Sequence, residues 1–308
     1  MSDSPKVFVA ANCQQVPITS ILRTSGIEAF CHKKPIHELT IEDKTKVSCL
    51  KESADVIILQ YNRAEKFKTL GLDPISIKNG PQKNIIIPNL YFSGYHPTFA
   101  AVKSAEMMNK SFSALIENNN LGPHLDTFGI AAKDMGITPS KLFDMLLNDT
   151  QNVNKELEEE AMEGLIVREK VCDISISKWI NNNKPNHTLF YSFNHPTNYL
   201  FTHFCEMVKS EIASDNSITC RLKPYLSNYR LPIYPLISSL FNISDKVGYN
   251  YGGGPTDHDM KIRISLVHHL RNIWNFTLKA GSEEQDILIK YRNTKEYETA
   301  FHILSKYF

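Results

Sequence analysis

The chain has 308 residues, enough for one large domain or two, and its charges nearly balance at a formal net +1. No run interleaves basic and aromatic residues so as to track a phosphate backbone, which speaks against a nucleic-acid partner. Met1-Ser-Asp-Ser-Pro5 leads directly into Lys6-Val-Phe-Val-Ala-Ala11 without the flank of a secretory signal, and no later stretch reaches the length of a membrane span. A soluble, cytoplasmic protein is expected.

Taken in order, Lys6–Ala11 is a β-branched and aromatic run that predicts a first strand. Pro17 suits the first turn of a following helix and Gly26 its C-terminal stop. Ile27–His32 predicts a second strand, and Thr40 with Asp43 forms an acidic capping box opening a helix through about Glu52. Asp55-Val-Ile-Ile-Leu-Gln60 and Asn84-Ile-Ile-Ile-Pro88 are continuous apolar strands, as required when helices cover both faces of a sheet. The expected class is therefore α/β, a parallel flavodoxin-like sheet flanked by helices. From Thr98 the pattern turns predominantly helical, predicting a helical insertion or lid over 98–185 between core segments 1–97 and 186–308. Thr188–Ser192 reads as a return to the sheet, Asn198–Lys209 as the next helix, and Ser282 with Gln285 as the start of a C-terminal helix.

Six cysteines, Cys13, Cys31, Cys49, Cys172, Cys205 and Cys220, are scattered without a Cys-x-x-Cys pair. This argues against a zinc knuckle and a disulfide framework, and for most of them a buried, reduced thiol is the plain reading. Cys13 differs in its position. In open parallel sheets ligands bind outside the carboxyl ends of the strands. Those ends carry Asn12-Cys13-Gln14-Gln15, Gln60-Tyr61-Asn62-Arg63, Ser93-Gly94-Tyr95-His96 and Asn194-His195-Pro196-Thr197-Asn198. At a strand-to-helix turn, backbone N–H groups and the helix dipole are expected to lower the Cys13 pKa and favour its thiolate. The alternative is a buried thiol plugging the junction. His195 and His96 are rival bases. Asn12, Gln14 and Gln60, with Ser93, Gly94 and Asn198, are the candidate oxyanion and substrate contacts.

The segments Val7-Phe-Val-Ala-Ala-Asn-Cys-Gln14, Ile58-Leu-Gln60-Tyr61, Asn89-Leu-Tyr-Phe-Ser-Gly-Tyr-His-Pro97 and Asn194-His-Pro-Thr197 resemble, in the same order, the WcbI family of polysaccharide-biosynthesis acetyltransferases. The resemblance implies a coenzyme A-binding protein of bacterial capsule biosynthesis, with a fold distantly like the SGNH/GDSL hydrolases. It would transfer acetyl from acetyl-CoA to a sugar hydroxyl, peripheral to a capsule assembly complex. Gln15, Tyr61 and Arg63 at the strand ends, and Arg168 and Lys170 in the helical stretch, are the candidate contacts to the cofactor, the last two because cations partner phosphates. A solvated helix face is the alternative for Arg168, Lys170 and Lys178.

Two departures from pattern stand out. Ala11 replaces the family's usual glycine before Asn-Cys-Gln. Ser192 stands three residues before His195, where an Asp would complete a hydrolase triad, so a Ser-His-Asp relay does not carry over and a dyad or another acid is required. Two routes are open: Cys13 takes the acetyl group as a thioester, or it lines the pocket while the sugar hydroxyl attacks acetyl-CoA directly. Rival functions are an SGNH-like esterase or deacetylase, and a non-catalytic CoA- or glycan-binding accessory protein.

Gly252-Gly-Gly254-Pro255 lacks the Lys-Ser/Thr of a P-loop and reads as a surface turn. Asp257, His258 and Asp259 are adjacent and unaccompanied by a spaced second cluster, so no metal is assigned. His268 and His269 are expected as one exposed and one buried helical position. The Rossmann fingerprint is absent, which speaks against a nicotinamide cofactor.

Overall fold

Val7, Phe8 and Val9 favour an extended backbone because branched and aromatic side chains pack well on a pleated surface. In the computed structural model, they form strand β1 (Lys6–Ala10), followed by α1 (Gln15–Thr24), with Pro17 in its first turn and Gly26 beyond it at φ +85°. That left-handed conformation is what glycine supplies at a helix stop. The structure describes the chain apart from residues 1–3, 63, 120, 122–123, 149–155, 214–225, 227–230, 232, 235–236, 238–265 and 308. Gly252–Pro255, Asp257–Asp259 and Arg63 lie outside the described residues, as does the side chain of His268.

Strand β2 (Glu28–Cys31) follows, and Thr40 and Asp43 close the predicted capping box. The box opens a single 3-10 turn that runs on into α2 (Lys44–Glu52). β3 (Val56–Gln60) and β4 (Lys83–Ile87) complete a four-stranded, all-parallel sheet in the order β2-β1-β3-β4. The register sets Val7 against both Ala29 and Val56, and Ile58 against Ile85. One sheet face carries Phe8, Ala10, Ile57, Leu59 and Ile86 into a core with Val47, Phe67, Leu70 and Ile77. The outer edge of β4 is closed by Asp173, whose carboxylate accepts from Ile86 N at 2.6 Å while its own N–H donates to Ile86 O at 2.8 Å. A covered edge cannot template a further strand.

The chain divides into two compact units. The first comprises Met1–Phe92, Met162–Asn183 and Asn194–Leu226, and the second Ser93–Ala161, Lys184–Phe193 and Ser227–Phe308. The segment read as a helical insertion thus contributes to both. The first unit adds to its sheet the helix Ser177–Asn183 and the long helix Asn198–Ile212, whose Leu200, Phe201, Phe204 and Val208 are buried. Helix Glu156–Glu169 spans the point where the chain passes from the second unit to the first.

The second unit is mainly helical, but its 99–126 region contains a short antiparallel ribbon, Phe99–Ala101 against His124–Asp126, inside the stretch expected to be helical. Three-residue strands leave too short a period-2 signal to read. Around the ribbon pack helices Lys110–Asn118, Phe128–Asp134, Leu266–Lys279 and Ser282–Tyr291, through Phe112, Ile116, Ile130, Ile273, Phe276 and Leu288. Gly129 permits a close approach to the helix Leu266–Lys279, since a Cβ there would lie 2.1 Å from Ile273 Cγ2.

One expectation is corrected. Phe190–Ser192 is a strand but does not join the four-stranded sheet; its apolar run is too short to distinguish a member of that sheet from a strand outside it. The last-named helix begins at Ser282 with Gly281 as its cap, and Gln285 N donates to Gly281 O. The helix start expected at Ser282 is the one observed.

Candidate active site at the strand ends of the first unit

The order β2-β1-β3-β4 makes the chain leave β1 toward one side and return to β3 on the other. The carboxyl ends of β1 and β3 are therefore the topological switch point, where an open parallel sheet leaves a crevice. Asn12 and Cys13 follow β1 there, and Gln60 ends β3.

The turn after β1 is built by its own side chains. Asn12 Oδ1 accepts from Gln14 N at 2.9 Å, a local turn that Asn forms readily. Asn12 N donates to Gln60 Oε1 at 3.0 Å and Asn12 Nδ2 to Asn89 Oδ1 at 3.2 Å. Gln60 Nε2 in turn donates to Gln14 Oε1 at 2.9 Å. Gln14 Nε2 donates to both Leu90 O at 2.9 Å and Asn194 O at 3.0 Å. Four amide side chains, Asn12, Gln14, Gln60 and Asn89, thus lock the ends of β1, β3 and β4 and the loop at Asn194 into one lattice. Gln14 and Gln60 are buried, and an unpaired amide there would be costly. Both amide hydrogens of Gln14 are engaged, so its role in this geometry is to hold the turn.

Cys13 is carried on that turn, half-buried, with Sγ 3.9 Å from Asn12 Oδ1. The expectation of a lowered thiol pKa is corrected: burial pushes Cys13 up to about 11, although its own backbone N–H pulls the other way. The helix does not reverse this, because its cap is Gln14 and its first residue Gln15, leaving Cys13 before the first turn. Desolvation outweighs a dipole that acts only within that turn. The group presented at neutral pH is a thiol.

The neighbouring candidates are placed as follows. Gln15 is buried and its Nε2 donates to His32 O at 2.9 Å and Lys34 O at 3.0 Å, tying α1 to the loop after β2. Tyr61 packs against the core below the sheet, its N–H donating to Ile87 O at 2.8 Å. Asn194, His195 and Asn198 are half-buried; Gln14 holds the Asn194 carbonyl, and Asn198 opens the helix Asn198–Ile212. Arg168, in the last turn of Glu156–Glu169, donates from Nη2 to Tyr91 O and lies 5.4 Å over the Tyr91 ring, while its buried Nε has no partner. Burial lowers its pKa from the ordinary value, but a guanidinium stays charged in proteins. Asn89, Leu90 and Tyr91 therefore accept in succession from Asn12, Gln14 and Arg168. Lys170 is exposed just beyond that helix.

Ser93, Gly94 and His96 belong to the second unit. His96 is buried, its Nε2 3.3 Å from Leu231 O and its Nδ1 without a partner. Burial pulls its pKa down to about 3, with a smaller push from His124 in the same direction and an opposing one from Leu231 O. It is a neutral imidazole in a core of Tyr95 and Phe99 rings.

The second unit also holds a polar cluster not anticipated from the sequence. The buried Asp126 carboxylate accepts from Thr98 Oγ1 at 3.0 Å, from Phe128 N at 3.1 Å and from the Tyr234 hydroxyl, with His269 Nε2 3.2 Å from its Oδ2. Four partners occupy both oxygens, which marks a structural node. His269 is indeed buried. Its partner lies 143 positions away, a separation with no local signal. Among the described residues no group of three or more His, Cys, Asp or Glu side chains is placed to hold a metal, and no helix is long and apolar enough to cross a membrane.

Fold and site together define an α/β protein with a thiol and an amide lattice at the switch point of a parallel sheet. Residues 6–216 match the family described as polysaccharide biosynthesis enzyme WcbI, and the chain belongs to that family. No curated protein matches the chain. A solved structure of WcbI, described as a novel polysaccharide biosynthesis enzyme in its native form without a disulfide bond between coenzyme A and a cysteine, is similar in fold. Its TM-score is 0.72 at 16% identity, covering 98% of this chain and 99% of that one.

Proposed function

We propose that the protein is an acetyl-CoA-dependent O-acetyltransferase acting on a sugar hydroxyl in capsular polysaccharide biosynthesis, with the coenzyme bound at the strand ends of the first unit. The observation that carries this reading is the Cys13 thiol, held at the switch point by the Asn12–Gln14–Gln60–Asn89 lattice, in a chain of the WcbI family. The related structure's description in terms of coenzyme A and a cysteine supports it.

The residues present fit such a ligand. Arg168 offers a guanidinium whose Nε has no partner, beside the segment that anchors Asn12 and Gln14, and cations of this kind bind phosphate oxygens. Lys170 stands exposed next to it. Bound acetyl-CoA supplies the acetyl group as a thioester. A thiol with a pKa near 11 is a weak nucleophile at neutral pH, which favours direct attack by the sugar hydroxyl over an acetyl-cysteine intermediate. In this reading Cys13 lines the pocket and His195, because His96 is enclosed in the second unit's core, would take the hydroxyl proton and pass it to the coenzyme A thiolate released as the C–S bond breaks.

Thermal-shift measurement with coenzyme A, acetyl-CoA and NAD tests the proposal. Stabilisation by the two coenzyme A forms alone is expected. No stabilisation by either would overturn it.

A further inference from the structure

A group of aromatic rings in the first unit is not used by the strand-end site. Trp179, on Ser177–Asn183, and Tyr199 and His203, one turn apart on Asn198–Ile212, lie together. The Trp179 indole and His203 imidazole are stacked at 4.5 Å with planes 13° apart, and the Tyr199 ring is 5.2 Å from the indole at 42°. Tyr199 is 46% exposed. Trp179 and His203 are half-buried beside it.

The rings are held in place by polar groups. The Tyr199 hydroxyl donates to Asn183 Oδ1 at 3.1 Å, and Asn183 Nδ2 donates to Trp179 O at 2.9 Å. His203 Nδ1 is 3.5 Å from Glu206 Oε2, in a carboxylate that is partly exposed. The result is a fixed ring platform rimmed by an amide and a carboxylate. Aromatic walls with a few placed polar groups are the usual composition of a small-molecule site.

We infer that the platform of Trp179, Tyr199 and His203 docks a pyranose ring of the saccharide acceptor. An aromatic face is electron-rich and meets the slightly positive C–H face of a sugar, while Glu206 accepts from its hydroxyls. Membership of a polysaccharide-biosynthesis family names the class of occupant. Position supports it as well: Tyr199 lies in the first turn of the helix that follows Asn194, the residue whose carbonyl Gln14 holds. The inference rests on the saccharide half of the proposed function and not on the acetyl-transfer half.

The test is saturation-transfer NMR on the full chain with the methyl glycosides of glucose, galactose, mannose and N-acetylglucosamine. Transfer to the C–H protons of at least one glycoside is expected, retained in Tyr199→Phe and about tenfold weaker in affinity in Tyr199→Ala. In a Trp274→Phe background, which leaves Trp179 as the one remaining tryptophan of two, the same glycoside should change its fluorescence. No transfer to any glycoside, or equal transfer in Tyr199→Ala, overturns the inference. So does a fall in sedimentation coefficient in Tyr199→Ala with sugar binding unchanged, which would assign the platform to a second copy of the chain. Coenzyme A stabilisation measured on the same variants keeps the two readings apart: its loss in the unaltered protein would sink the acetyl-transfer proposal and leave the platform standing.

Discussion

Gln60 and Gln14, 46 positions apart, meet through a hydrogen bond of 2.9 Å in which Gln60 Nε2 donates to Gln14 Oε1, while Gln60 Oε1 accepts from Asn12 N. One side chain at the end of β3 therefore fixes both residues flanking Cys13. Replacing Gln60 by Ala leaves a backbone N–H and an amide oxygen without these partners. A loss of about 1–3 kcal/mol is expected, read as a lower thermal midpoint. An unchanged midpoint would show that the lattice does not hold the turn.

The state of Cys13 is accessible to alkylation. With its pKa raised to about 11 by burial, reaction with iodoacetamide should be slow at pH 7 and quicken about tenfold per pH unit toward that value, because the thiolate is the reactive species. Peptide mass spectrometry with exposed Cys49 as reference measures it. Intact mass after rapid quench with acetyl-CoA should show no adduct dependent on Cys13. An adduct that vanishes in Cys13→Ala would restore the covalent route.

Arg168→Ala should weaken coenzyme A binding about tenfold or more, as loss of a charge-assisted contact implies, and leave binding of pantetheine, which lacks phosphates, unaltered. Titration calorimetry on both ligands separates the outcomes. Equal weakening for pantetheine would make Arg168 a purely structural partner of Tyr91.

His96 sets an acid limit on stability. Folded, its imidazole protonates near pH 3 against an ordinary 6.5, through burial first and His124 second. Between those values the unfolded chain binds a proton that the folded chain does not, so stability falls as pH drops below 6.5 and is unaffected above it. The loss at pH 5 comes to about 2 kcal/mol. Denaturant titrations of the wild type and His96→Gln at pH 5 and 7.5 should show a smaller difference for the variant.

Gly129→Ala should destabilise the second unit by about 1–3 kcal/mol, the usual cost of overpacking, because the added methyl meets Ile273 Cγ2 at 2.1 Å and Thr277 Oγ1 at 2.9 Å. A midpoint unchanged from wild type would mean that the two helices part without cost.

The first unit was legible because its signals are local. Val7–Val9, Ile57–Leu59 and Ile85–Ile87 declare buried parallel strands by composition, Pro17 and Gly26 bracket a helix, and Thr40 with Asp43 caps another. From these alone, polar residues at strand ends mark a crevice, and Cys13, Gln14 and Gln60 could be named. Tertiary structure decided what those residues do. Whether an amide faces a ligand or another amide depends on partners such as Asn89 and Asn194, 77 and 180 positions from Asn12 and Gln14. The Cys13 thiol is set by desolvation from the whole surrounding fold and not by its place before a helix. The Asp126–Tyr234–His269 node and the Trp179–Tyr199–His203 platform were silent in the sequence for the same reason. Side-chain pairing across long separations leaves no periodicity in the chain, and only packing brings such groups within hydrogen-bonding or stacking distance.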